Sequence, residues 1–234
     1  MQRPLLTAVW SDVVLLSFEA PEPLLRRLVP AGVALDHWQG RTHVSLVALR
    51  MRDLRVRGWR VPGLTGHVQL NFRTYIRYRG EPGVWFVREL VPSRLVAVLA
   101  RLRYGEPCAT IALGAEVVVS DAAVQASYRV GRAATGWHVS VTGSRALHEP
   151  PPHSPERYFA ERGLACRARR GGRVTVLRVE HPPWTLRAVR ALSYELDFAA
   201  LYGAEWQFLN DQSPVSAVFA AGSAVAVSAP AVEP

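Results

Sequence analysis

Residues 67–79 (HVQLNFRTYIRYR) place Val68, Leu70, Phe72, Ile76 and Tyr78, with Thr74, on one side. His67, Gln69, Asn71, Arg73, Tyr75, Arg77 and Arg79 fall on the other. A period of two held over thirteen residues is the signature of a half-buried strand and does not fit a helix. The polar side of such a strand ordinarily meets water, so Arg73, Arg77 and Arg79 are expected on a charged sheet exterior. In the alternative, that face lines a cavity and its arginines hold a carboxylate.

Other segments follow from the same logic. Residues 43–56 read as a strand with mixed faces, 79–83 (RGEPG) as a turn, and 84–90 (VWFVREL) as the returning strand. On that strand Arg88 and Glu89 point in opposite directions, so only one of them joins the face of Arg73. A short helix is expected over 21–29, begun by Pro21 and Pro23 and ended by Pro30 and Gly32. A second helix is expected over 94–105, with Ser93 and Gly105 as caps. Strand-like segments then run to residue 143. Ser154 caps a helix over 155–163, 171–181 is a strand, and 186–203 reads as a longer helix. Residues 216–222 and 223–229 make a last strand pair. The tail is apolar enough to be a core strand or an interface strand. Many strands with few short helices predict an α+β fold, an antiparallel β-barrel or curled sheet with peripheral helices, in one domain over 1–234. No βαβ rhythm and no GxGxxG follows a strand, so dinucleotide binding is not expected.

Composition excludes several classes. All 28 Lys+Arg residues are arginine, so no lysine side chain can form an imine with a carbonyl substrate. The net charge is +9, but the arginines are dispersed and no nucleic-acid-binding signature is present, so no nucleic-acid partner is expected. Two cysteines, Cys108 and Cys166, are too few for a secreted disulfide framework. No apolar run approaches about 20 residues, and the first residues lack a signal-peptide core. A cytoplasmic protein with no membrane partner is expected. The seven histidines show no HxH or HxxxH spacing, and no GxSxG occurs, so neither a metal site nor a serine hydrolase is expected.

An ordered set of stretches resembles the YqjF-like family: LTAVW at 6–10, PLLRRLVPAGVALD at 23–36, HVSLVAL at 43–49, QLNFRTYIRY at 69–78, VRELVP at 87–92, RYGEPC at 103–108, ERYFAERG at 156–163 and HPPWTLRA at 181–188. More distantly the chain is similar to acetoacetate decarboxylase. There the segment like VREL leads to a Y-P-K-K motif with the Schiff-base lysine. Here a helix-like insertion separates VREL from Tyr104-Gly105-Glu106-Pro107-Cys108, and Cys108 and Ala109 follow the proline. Ser45 stands where the decarboxylase carries a carboxylate. The resemblance implies an acetoacetate-decarboxylase-like fold, a largely apolar pocket for a small molecule, anionic in one reading, and a homo-oligomer, with no cofactor. It also implies that imine-based decarboxylation is absent.

Within that expectation, acid-base or nucleophilic chemistry falls to Glu89, His181, Cys108 and Glu106. Ligand contacts fall to Arg73, Arg88, Gln69, Asn71, Tyr104 and Trp184. Each has a plainer reading beside it: a buried inert cysteine at Cys108, and a structural turn at His181-Pro182-Pro183 with Trp184 packed in the core. A thiolate at Cys108 would need nearby arginines to lower its pKa. His181 would titrate near neutral pH. An enzyme of lyase, isomerase or cyclase type on an organic acid or polyketide-like substrate stands beside a non-catalytic binding or sensing module and an assembly protein with a vestigial pocket.

Overall fold

In a computed structural model the chain is described over residues 4–30, 32–60, 66–94, 97, 108–168 and 173–233. The strands are β1 (Leu6–Glu19), β2 (Ala34–Leu35), β3 (His43–Val56), β4 (Trp59–Arg60), β5 (Gly66–Tyr78), β6 (Glu81–Val91), β7 (Cys108–Thr110), β8 (Leu113–Val119), β9 (Ala123–Val130), β10 (His138–His148), β11 (Leu164–Ala168), β12 (Val174–Glu180), β13 (Leu186–Glu195), β14 (Ser216–Val227) and β15 (Ala231–Glu233). Short α-helices among the described residues include α1 (Glu22–Arg26), α2 (Pro155–Ala160) and α3 (Phe198–Tyr202).

All these strands belong to one curled, mixed sheet, in which β12, β11, β6, β5, β3, β1 and β14 follow one another. The order closes on itself, because β14 pairs with β12 at Val179–Val227 and Glu180–Ala226. The result is a ring of seven strands. From β14 the sheet continues through β13, β10, β9 and β8, which fold back over the ring.

Two apolar clusters occupy the two faces of the ring wall. One lies inside and draws on every ring strand, through Leu15, Val47, Tyr75, Val84, Ala165, Leu177 and Val218, with Phe159 of α2 among them. The other lies between the ring's outer face and the β8–β9–β10–β13 layer, and includes Leu16, Leu46, Phe72, Tyr128, Phe198 and Trp206. Phe72 stacks on Tyr202 at 4.4 Å and meets Trp206 edge-on at 4.7 Å. Ring strands are therefore buried on both sides.

That double burial corrects the expectation for residues 67–79. The strand exists, but the face of Asn71, Arg73 and Tyr75 points into the ring, and these side chains are buried. Arg77 and Arg79, past the ring's rim, are exposed, and His67 and Gln69 at the other end are partly so.

The helix expected over 186–203 is also corrected. Residues 186–195 form β13, and only 198–202 is helical, capped by the Asp197 carboxylate accepting from Ala200 N at 3.0 Å. The cause is a β-bulge: Thr142 pairs with Ala191 but Gly143 pairs with Val189, leaving Arg190 extra. Core contacts at Val189 and Leu192 thus fall three apart, which imitates a helical period. The last "strand pair" is one strand, β14, bent at Gly222, whose φ is +89°. The short helix over 21–29 contracts to 22–26, and the one capped by Ser154 ends at Ala160. The helix expected over 94–105 lies largely outside the described residues, as do Tyr104 and Glu106.

Candidate functional site

Directly paired residues on neighbouring strands project to the same face, so the register builds the ring's interior row by row. One row runs Ser216, Ser17, Ser45, Arg73, Phe86 across β14, β1, β3, β5 and β6. The next runs Val218, Leu15, Val47, Asn71, Glu89, Cys108, ending on β7. A third holds Gln69 opposite Leu49. The wall made by β5, β6 and β7 is therefore polar, and the wall made by β1, β12 and β14 is mainly aliphatic.

Glu89, not Arg88, is the residue of its strand that joins this face. The Glu89 Oε1 accepts from Gln69 Nε2 at 2.7 Å. Arg88 turns to the outer layer and donates to the Leu201 carbonyl at 2.9 Å, so the structure separates it from Arg73. Cys108, Glu89, Asn71, Gln69 and Arg73 are brought together across three strands, and Cys108 is buried.

Arg73 is the unusual member. Its side chain is 7% exposed, and Nη2 donates to the Phe159 carbonyl at 3.0 Å. Among the described residues no carboxylate pairs with it, and Nε, like Asn71 Oδ1 and Ser216 Oγ, has no hydrogen-bond partner. Burial pulls the Arg73 pKa down, and the nearby charge of Arg162 adds to the effect, partly offset by Tyr75. A guanidinium still holds its proton under any ordinary condition, so this is a buried cation faced by a carbonyl dipole.

Around it sit further polar groups, of which the sequence had named Ser45 and Tyr75. Ser17 Oγ, Ser45 Oγ and the Tyr75 hydroxyl form a buried chain at 2.7 and 2.5 Å, and the Tyr75 hydroxyl donates onward to the Phe159 carbonyl at 3.3 Å. Arg162 stacks over the Tyr158 ring at 4.0 Å and donates to Asp36 at 2.6 Å. Asp36 also accepts from Arg77 at 3.0 Å. Burial alone would raise the Asp36 pKa, but the hydrogen bonds and charges of Arg162 and Arg77 outweigh it and hold the carboxyl below its usual range. The alternation of β5 already named Tyr75, but Arg162 and Asp36 are 126 positions apart and share no pattern.

His181 and Trp184 lie elsewhere. Trp184 is buried, and its indole N–H donates to Ser223 Oγ at 3.1 Å. His181 stacks on it at 4.8 Å, and its Nδ1 lies 2.8 Å from the Pro182 carbonyl, in a turn whose peptides are trans. This turn borders an open groove of about 550 Å³ lined by Thr7, Val9, Asp53, Glu180 and Ala226. The groove comes no nearer along β1 than Val9, eight residues from Ser17, roughly 26 Å along an extended strand.

His67 continues the interior polar stripe of β5 beyond Gln69. Burial lowers its pKa, with Gln69 opposing, and burial likewise lowers that of His43, with Glu19 opposing. Both bind protons less readily folded than unfolded. Their contribution to stability is thus complete above the ordinary histidine pKa of about 6.5 and is lost as pH falls below it. Urea unfolding at pH 7.5 and 5.5 should show wild-type stability dropping, and a smaller drop in His67→Gln. An equal drop would contradict the burial of His67.

A family model described as an uncharacterized conserved protein, DUF2071, matches residues 7–224. The "Uncharacterized protein YqjF" of Bacillus subtilis is 33% identical over 99 residues, 42% of this chain and 41% of that relative. The fold is similar to that of acetoacetate decarboxylase from Legionella pneumophila, with a TM-score of 0.65 at 12% identity, covering 99% of this chain and 88% of the other. The enduracididine biosynthesis enzyme MppR gives 0.65 at 13% identity over the same shares. An acetoacetate decarboxylase-like enzyme from Sphingomonas wittichii gives 0.63 at 11%, covering 99% and 93%.

Proposed function

We propose, from the premise that this chain belongs to the DUF2071 family and has an acetoacetate-decarboxylase-like fold, that it takes up a small organic acid inside the seven-strand ring and acts on it by proton transfer. The carboxylate binds at Arg73. The observation that carries this reading is the buried Arg73 guanidinium with no carboxylate partner among the described residues. A buried cation left unpaired is costly, and a ligand anion is the natural complement. The interior offers that anion one polar wall and one aliphatic wall, the usual make-up of a small-molecule site.

Glu89 is the proton-transfer group in this reading. It lies one row from Arg73, is 3% exposed, and is held by Gln69. A positioned carboxylate of this kind can move a proton on a bound acid. Imine chemistry is outside the reach of the side chains, since the sequence contains no lysine.

Melting curves with 2-oxo, 3-oxo and unbranched carboxylic acids test the binding step. An acid present at a hundredfold its Kd should stabilise the protein by about 2.7 kcal/mol. The shift should vanish in Arg73→Gln and persist in Glu89→Gln, while exchange of the acid's α-proton with solvent deuterium should be lost in Glu89→Gln. No shift with any acid, or one unchanged by Arg73→Gln, contradicts the reading.

A further inference from the structure

The last carbonyls of a helix have no partner within it, and in α2 the ring interior supplies them. Tyr158 O accepts from Arg162 Nε at 2.9 Å. Phe159 O accepts from both Arg73 Nη2 and the Tyr75 hydroxyl. The two interior donors closest to the unpaired charge thus converge on one backbone oxygen. Since Tyr75 donates to Phe159, its own oxygen is left to accept from Ser45, and Ser45 in turn from Ser17. The whole hydroxyl chain is polarised toward the point where Phe159 O sits. Such chains strengthen their terminal donor.

The charges set what that point prefers. Arg162 is met by Asp36 at 2.6 Å, whereas among the described residues Arg73 has no carboxylate in contact and donates to a carbonyl dipole beside the Tyr75 ring. A carboxylate accepts such bonds about twice as strongly as a neutral carbonyl. A guanidinium with no carboxylate in contact among the described residues favours an anion over a neutral acceptor at that point.

We propose that a monocarboxylate binds by replacing the Phe159 carbonyl at Arg73 and Tyr75, so that α2 is an internal competitor for the site. This rests on the Arg73 reading above. The end of α2 shifts when the acid binds, and the freed carbonyl turns to water. Ser17 and Ser45 are positioning residues that act through Tyr75.

Loosening α2 away from the site tests this. Ser154 Oγ accepts from Arg157 N at 3.2 Å, and Arg157 pairs with Glu161 at 3.2 Å. Hexanoate is titrated calorimetrically into the full chain, with adipate and 1-hexanol as dianionic and neutral controls. Ser154→Ala should raise hexanoate affinity by up to about fivefold, the equivalent of a helix cap worth ~1 kcal/mol. Arg157→Ala should act in the same direction. Hexanoate should also speed hydrogen exchange at the Tyr158 and Glu161 amides, and should bind at least about tenfold more tightly than adipate, the worth of ~1.4 kcal/mol.

Hexanoate binding that is unchanged or weaker in both variants, with α2 amides protected, overturns the competitor role and leaves Arg73 as an anion site beside a fixed helix. Hexanoate that binds neither wild type nor variants overturns both this inference and the reading it rests on.

Discussion

Asp36→Asn is expected to cost the folded protein about 3–5 kcal/mol, the range found when one partner of a buried ion pair is removed. The Asp36 and Arg162 side chains are 6% and 3% exposed, and Arg162 comes from the segment after α2, so the pair ties that segment to the ring's rim. Without the carboxylate, Arg162 keeps its charge in a site closed to water. Arg77, half in solvent, offers no compensation. The pH dependence has a fixed sign. Because Asp36 is more acidic folded than unfolded, its stabilisation is present above the ordinary carboxylate pKa of about 4 and is lost as pH falls through the lowered value. Urea unfolding at pH 7 should show the large loss, and wild type and Asp36→Asn should converge only as the pH falls past the lowered Asp36 pKa. A variant within 1 kcal/mol of wild type at pH 7 would show that the pair is not buried as described.

The second large effect is at Gly222. Its φ is +89°, and a Cβ there would lie 2.0 Å from the Trp10 carbonyl oxygen on the neighbouring strand. Gly222 pairs with Ser11, next to Asp12, itself at φ +55°. Both strands bend here to close the ring. Gly222→Ala is expected to destabilise by about 2–5 kcal/mol, combining roughly 1–2 for the left-handed backbone with about 1–3 for overpacking. Gly40→Ala is the matched control, since Gly40 has φ +76° and open space around it. It should cost only the backbone part in thermal unfolding. Equal losses in the two variants would contradict the close approach of β14 to β1.

Much of the fold was legible in residues 67–79, whose apolar positions recur at a period of two, and in the strand-like run 43–56, whose faces are mixed. Strand β1 was not read as a strand. Its core, Val13 to Phe18, is buried on both faces, which erases alternation and leaves an apolar run of ambiguous type. β13 was misread for the opposite reason, a bulge that shifts the period by one. In the site, Gln69, Asn71, Arg73 and Glu89 were legible as polar residues of adjacent strands. Which way they faced was not, because a closed ring inverts the rule that the polar side of a strand meets water. Arg162, Asp36 and Phe159 reach the site from distant segments and only the tertiary structure joins them. The similarity to acetoacetate decarboxylase reaches the fold but stops at the chemistry, since the lysine-free chain sets three serines and an arginine in one interior row.

The most direct test of an anion site at Arg73 is the Nε–H spectrum of protein labelled with ¹⁵N-arginine, recorded during a hexanoate titration. Arg73 Nε–H is buried with no hydrogen-bond partner among the described residues, so its resonance should be sheltered from exchange, assignable by its absence in Arg73→Gln, and moved saturably by hexanoate but not by 1-hexanol. A saturable shift confined to that resonance and its Arg162 neighbour is the predicted result. An Arg73 resonance that stays fixed while hexanoate binds, or while no arginine responds at all, would contradict the account.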